Sequence, residues 1–261
     1  MTVATSDPVR LLVGGLLVGD RWLTNSTGGT LEHINPATGR AQQTFPIAGR
    51  PEVDAAVAAA KAALPAWRRW RPDARRDVLR RVADRLRDEA AELGTIGSLE
   101  NGTPRLQAVA MAPSAAGWFD YYAGWADKLT GEVIDPFPKP GFNYTLPEPV
   151  GVVAVIVTWN GPLMAFGMAV APALAAGCCV VIKPAELTPF SPARFGRICL
   201  ESGLPPGVVT IVPGGPDAGD ALVRHPDVAK ISFTGGIETA RRIQSACAES
   251  LTPLVLELGG K

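Results

Sequence analysis

From Pro149 through Ile182 the chain carries no charged residue, and this stretch limits the possible folds more than any other. It exceeds the roughly 20 apolar residues that a membrane-spanning helix needs, but it does not read as one element. "GVVAVIV" is β-branched and strand-like, and "TWNGP" breaks it. "LMAFGMAVAPALAAG" reads as a buried helix interrupted by Pro172, and "CCVVIK" is strand again. A buried β-α-β unit is expected, not a membrane span.

The same alternation continues to the last residues. Apolar strands "GVVAVIV", "CCVVIK", "VVTIV", "AKISFT" and "PLVLEL" are separated by helical stretches beginning near Pro162, Pro189, Asp217 and Glu238. This pattern predicts an α/β fold, a parallel sheet with helices on both faces. Ligands of such sheets bind beyond the carboxyl ends of the strands, so the residues following each strand matter most. They are "TWNGP", "KPAE", "PGGPDAG", "TGG" and, after Glu257, "LGG". Taken singly, each has a plainer explanation in turn geometry or a solvated strand end. Five polar or glycine-rich turns on one edge point instead to a site.

Before about Leu129 the signals are helical. "PEVDAAVAAAKAAL" and "PDARRDVLRRVADRLRDEAAEL" repeat apolar residues at helical spacing, including Val78, Leu79, Val82, Leu86, Ala90 and Leu93. Nine arginines lie between Arg68 and Arg87, but Asp73, Asp77, Asp84 and Asp88 are interleaved with them. A salt-bridged helix face explains them better than a nucleic-acid surface, and the formal net charge of zero supplies no field toward nucleic acid or a charged membrane. "RLLVGGLLVG" lacks a small-residue cleavage site and is read as a short hairpin, not a signal peptide. "GEVIDPFPKPGFNYTLPEP", with five prolines, reads as an extended hairpin or linker. The expected organisation is a helical amino-terminal part over 1–128, a hairpin or linker over 129–148 and an α/β part over 149–261. Four cysteines without disulfide or metal-ligand spacing, and two distant histidines, His33 and His225, predict reducing cytoplasm and no metal site.

The ordered set "WN", "KPAE", "GLPPGVVTIVPG", "HPDVAKISFTGG" and "LELGGK", with "INPATG", "AAVAAAKAA" and "YYAGWADKLTGE" upstream, resembles the NAD(P)-dependent aldehyde dehydrogenase superfamily from about Leu16 to Lys261. The usual dinucleotide fingerprint G-x-G-x-x-G is absent, in keeping with the variant Rossmann-like fold that the resemblance implies. It also implies an enzyme oxidising an aldehyde to a carboxylic acid through a cysteine thioester. Asn160 would be the side-chain oxyanion donor and Glu257 the general base for the deacylating water. Lys183 and Glu186 would hold the adenosine ribose, the carboxylate favouring NAD over NADP. Val157, Thr158, Trp159, Gly215, Gly219, Phe233, Thr234, Gly235, Gly236, Thr239 and Leu258 would complete the cofactor site, with backbone N–H groups facing phosphate. A homodimer or homotetramer is implied, with the proline-rich hairpin as its arm.

Departures from the family pattern are equally specific. "FTGG" replaces "FTGS", Thr158 stands where Pro is usual, and Gly161 takes the place of a bulky residue, which suggests a bulky or cyclic aldehyde. The family's nucleophilic cysteine would lie beyond "LELGGK", while Cys178, Cys179, Cys199 and Cys247 read as structural thiols. The chain as given is therefore expected to be an inactive fragment lacking the catalytic-cysteine domain, its ending a cut. The alternatives are a natural non-catalytic module that binds NAD or an intact paralogue, and another nucleotide-dependent α/β enzyme such as a methyltransferase. The general base favours hydrolytic over coenzyme A-acylating chemistry.

Overall fold

The structure is a computed structural model that describes residues 8–260. Lys261, the last residue of "LELGGK", lies outside the described residues. After a single 3₁₀ turn (Pro8–Leu11), the chain forms a hairpin of β1 (Leu16–Val18) and β2 (Arg21–Leu23), then a second of β3 (Thr30–Ile34) and β4 (Ala41–Pro46). Four helices follow: α1 (Arg50–Arg68), α2 (Pro72–Asp88), α3 (Ala90–Asn101) and α4 (Arg105–Ala123). A small hairpin of β5 (Val133–Ile134) and β6 (Asn143–Tyr144) leads to β7 (Val152–Ile156). The remaining elements alternate: α5 (Pro162–Ala175), β8 (Cys179–Lys183), α6 (Phe190–Glu201), β9 (Val209–Ile211), α7 (Pro216–Val223), β10 (Val228–Gly235), α8 (Ile237–Ser250) and β11 (Leu254–Leu258).

The main sheet has the order β11-β10-β7-β8-β9-β1-β2, and its β7 to β11 strands run parallel. β7 and β8 are buried along their whole length, as central strands covered on both faces must be, which is why that region reads as an unbroken apolar run. One face is covered by α1, which packs on β7, β8 and β9 and touches α7, itself against α8. On the other, α5 and α6 pack together, with α2 and α4 laid over α5. The chain runs outward from β7 to β9 and then returns to place β10 on the other side of β7. That reversal opens a crevice at the carboxyl ends of β7 and β10, the position where ligands of doubly wound sheets bind.

Several expectations are modified. Pro172 does not interrupt α5: it sits in the last turn, where only one backbone bond is forfeited, and Ala176 N still donates to the Pro172 carbonyl at 3.0 Å. The amino-terminal hairpin closes at Gly19, with φ of 67°, and β1 pairs antiparallel with β9, so this segment extends the main sheet. α3 and α4 carry no strong apolar periodicity. They pack closely because Gly94 has no side chain; a Cβ there would stand 2.8 Å from Val109 Cα. The arginine-rich helix is ion-paired as expected, but partly to other elements: Arg76 to Asp127 at 2.7 Å and Arg85 to Glu201 at 3.1 Å. No helix among the described residues is long and apolar enough to cross a membrane.

Candidate active site

The strand register sets one row across the sheet. Leu256, Phe233, Ile156 and Lys183 are paired in sequence across β11, β10, β7 and β8. In-register residues of parallel strands share a face, and the next residue along each strand turns to the other. Lys183 and Phe233 therefore face one side of the sheet, while Thr234 and Glu257, paired one step further along, face the other.

Two grooves follow from this alternation. The first, of about 810 Å³, lies between the strand ends and the α7–α8 side. Val157, Thr158 and Trp159 line it after β7, Lys183 and Glu186 after β8, and Gly215 and Gly219 at the start of α7. Phe233, Thr234, Gly235, Gly236 and Thr239 complete it where β10 enters α8. The second groove, of about 1100 Å³, lies on the α5 side and is lined by Asn160, Glu257 and Leu258. Thr158, Trp159, Thr234, Gly235 and Gly236 line both. All the residues singled out in the sequence thus reach one crevice, with Leu258 on the second groove and not the first.

Local geometry suits the first groove to a phosphate-bearing ligand. α7 and α8 begin at Gly215 and Gly236, and neither helix has a side-chain cap for its first N–H groups. No atom outside the immediate chain neighbours would meet a Cβ at either glycine within 4 Å, so the approach to those N–H groups is open. Lys183 is 8% exposed; its Nζ donates to the Pro184 carbonyl at 3.3 Å and stands 3.9 Å from the Glu186 carboxylate. Burial holds the Lys183 ammonium below its ordinary pKa, an effect that Glu186 opposes. Phe233 is buried, and its ring packs against Gly235, where an added Cβ would lie 2.4 Å from the ring.

In the second groove, Thr158 Oγ1 donates to Asn160 Oδ1 at 2.6 Å. Met164 and Met168, one turn apart on α5, and Gln107 and Met111, one turn apart on α4, line the same groove. Sequence reasoning missed these four; their helical i, i+4 spacing was the available signal. All four cysteines are buried, and desolvation pushes the Cys179 thiol up to about 12 and raises those of Cys199 and Cys247. Cys178, just before β8, borders the second groove, but at the amino ends of the strands, where Cys179 pairs with Val152, while Asn160 follows the carboxyl end of β7. No group of three or more potential metal ligands occurs among the described residues.

Comparison with known proteins agrees with this geometry. The model of the aldehyde dehydrogenase family matches residues 22–261. The chain belongs to the aldehyde dehydrogenase family. It is 45% identical over 255 residues to a phenylacetaldehyde dehydrogenase of Pseudomonas fluorescens, covering 94% of this chain and 51% of that protein. It is 40% identical over 256 residues to aminoaldehyde dehydrogenase 2 of Zea mays, covering 95% and 51%. An aldehyde dehydrogenase from Bacillus cereus, solved as its NAD⁺ complex, superimposes with a TM-score of 0.93 at 36% identity, covering 100% of this chain and 54% of that one. The chain spans about half the length of the aldehyde dehydrogenases it matches.

Proposed function

We propose that this chain is the cofactor-binding half of an enzyme that oxidises an aldehyde to a carboxylic acid with NAD. The observation that carries this reading is the meeting of the two grooves over the ends of β7 and β10, the glycine-opened one suited to a dinucleotide and the other lined by Asn160 and Glu257. NAD would supply the hydride acceptor when bound. Lys183 and Glu186 would hold the adenosine ribose, the uncapped starts of α7 and α8 would offer N–H groups to phosphate, and Phe233 with Gly235 would border the nicotinamide path. The carboxylate of Glu186 repels a 2′-phosphate, which favours NAD over NADP.

In the second groove the chain's own residues act on the acyl group. As a thiolate adds to the aldehyde carbonyl, the oxygen acquires negative charge, and Asn160 Nδ2 donates to it; removing one such donor typically costs roughly 10²–10³ in rate. Glu257 then takes the proton of the water that hydrolyses the thioester. The thiolate is not one of this chain's buried cysteines, so the 261-residue chain by itself is proposed to bind cofactor without turning over aldehyde. Gly161, Met111, Met164 and Met168 leave a roomy, mostly apolar groove, and the relative named for phenylacetaldehyde supports a bulky or cyclic substrate. A homodimer or homotetramer using the exposed β5–β6 hairpin, and a cytoplasmic setting, complete the proposal.

The test is a fluorescence titration of the purified chain. NADH is expected to quench tryptophan emission through Trp159 at the groove, whereas S-adenosylmethionine leaves it unchanged. Saturable quenching by S-adenosylmethionine alone would overturn the reading. Aldehyde-dependent NADH formation by the 261-residue chain would overturn the part that assigns the nucleophile elsewhere.

A further inference from the structure

Asn160 sits in a turn with little to hold it. Its side chain is exposed, and the residue behind it, Gly161, begins α5 without capping that helix. A carboxamide in such a turn can present either its oxygen or its nitrogen, and only the nitrogen can donate to a developing oxyanion. Two contacts bear on how the turn is held. Thr158 Oγ1 donates to Asn160 Oδ1 at 2.6 Å, which occupies the acceptor end and leaves Nδ2 without an acceptor among the described residues. Between them, the Trp159 carbonyl accepts from Asn101 Nδ2 at 3.0 Å, and Asn101 Oδ1 is itself held by the backbone N–H and hydroxyl of Thr103. Asn101 is the last residue of α3, so one side of the turn is tied to a helix end and the other is closed on itself.

We propose that Thr158 is a positioning residue, its hydroxyl locking the Asn160 carboxamide with Nδ2 turned toward the reacting oxygen, and that Asn101 fixes the backbone on which this lock is built. The inference rests on the assignment of Asn160 as oxyanion donor. A valine at 158 has nearly the same shape but cannot donate, whereas serine keeps the hydroxyl. A proline at 158 would offer no such bond.

The experiment uses the aldehyde-oxidising enzyme that carries this chain and measures the rate of the first NADH-forming turnover at saturating NAD and aldehyde. Thr158→Val is expected to slow that turnover roughly tenfold, less than loss of the donor itself. Thr158→Ser is expected to restore the rate, and Thr158→Val is expected to add nothing in an Asn160→Ala background. The lock is overturned if Thr158→Val matches wild type, if Thr158→Ser is as slow as the valine variant, or if Thr158→Val slows the Asn160→Ala enzyme further. A wild-type rate in Asn160→Ala alone would instead overturn the oxyanion assignment and the lock with it.

Discussion

The Glu100 carboxylate, at the carboxyl end of α3, accepts the backbone N–H of Phe190, the first residue of α6, at 2.9 Å. The same carboxylate accepts the Ser191 N–H at 3.1 Å and the Ser191 hydroxyl, so it satisfies α6's first donors in a dry interior. The backbone carbonyl of the same Glu100 accepts from His33 Nε2 at 3.1 Å, and His33 Nε2 also reaches the Leu187 carbonyl at 3.0 Å. This cluster therefore ties β3, α3 and the loop carrying Glu186 into one piece.

Burial raises the Glu100 pKa from 4.5 to about 7 despite those three donors. Between these pH values the unfolded chain ionises the group while the fold keeps the proton, so stability falls as pH rises through the window, by roughly 3 kcal/mol in all. Glu100→Gln has the same shape without the titration. In urea melts it is expected to gain on wild type from pH 5 to pH 8; a constant difference across that range would refute this.

His33 is expected to act in the opposite sense. Its Nδ1 accepts from Gln42 Nε2 at 2.9 Å, and that amide is held because Gln42 Oε1 accepts from Asn35 and Gln42 Nε2 also donates to the Leu99 carbonyl. The neutral ring is thus fully used, and burial lowers its pKa below 6.5. The unfolded chain takes up the proton first, so stability falls as pH drops below 6.5. His33→Gln is expected to flatten that acid limb of the stability profile, and an unchanged limb would show that another group carries it.

Glu186 and Lys183 allow a separate test of the cofactor reading. Their charges stand 3.9 Å apart on the lining of the first groove, and on the proposed reading the Glu186 carboxylate would repel a 2′-phosphate there. Glu186→Gln is expected to improve NADP binding relative to NAD by about tenfold, or 1.4 kcal/mol. Separate titrations with the two reduced cofactors measure the ratio, and a ratio equal to wild type would remove Glu186 from the discriminating role.

The main sheet was legible because β7 and β8 are buried on both faces, leaving unbroken β-branched runs between turns rich in proline and glycine. That the turns gather at one crevice was legible because parallel strands deliver all their carboxyl ends to one edge. The β1–β2 hairpin showed locally, but its docking on β9 pairs Leu17 with Ile211, a contact that no local pattern encodes. The Glu100–His33 cluster was invisible for the same reason, since its partners lie up to 154 residues apart. The first residues of α3, with Ala90 and Leu93, read as helical, but the rest of α3 and all of α4 are not singled out, because Gly94, Gly97 and the small residues of α4 serve close packing and not an amphipathic stripe. The Thr158 contact escaped for another reason: at that position the family pattern drew attention to a missing proline and not to the hydroxyl gained.

Gly161 carries the prediction about substrate. Nothing closer than Met164 Cβ, at 4.0 Å, would meet a Cβ there, so a side chain can be added at the start of α5 without displacing the fold. Its φ of −165° is extended backbone open to any residue. A phenylalanine would project from the α5 start beside Asn160 and take volume from the second groove, whose methionine-rich wall adapts to apolar bulk. Hydrophobic pockets discriminate by roughly 1–3 kcal/mol per group admitted or refused, a factor of about 10–200. In the complete enzyme, Gly161→Phe is therefore expected to lower kcat/KM for aromatic aldehydes at least tenfold relative to short linear ones. Parallel assays with phenylacetaldehyde and propanal measure the shift. A preference that stays where it was, or a wild type that already favours propanal, would remove the open wall as the determinant of substrate size.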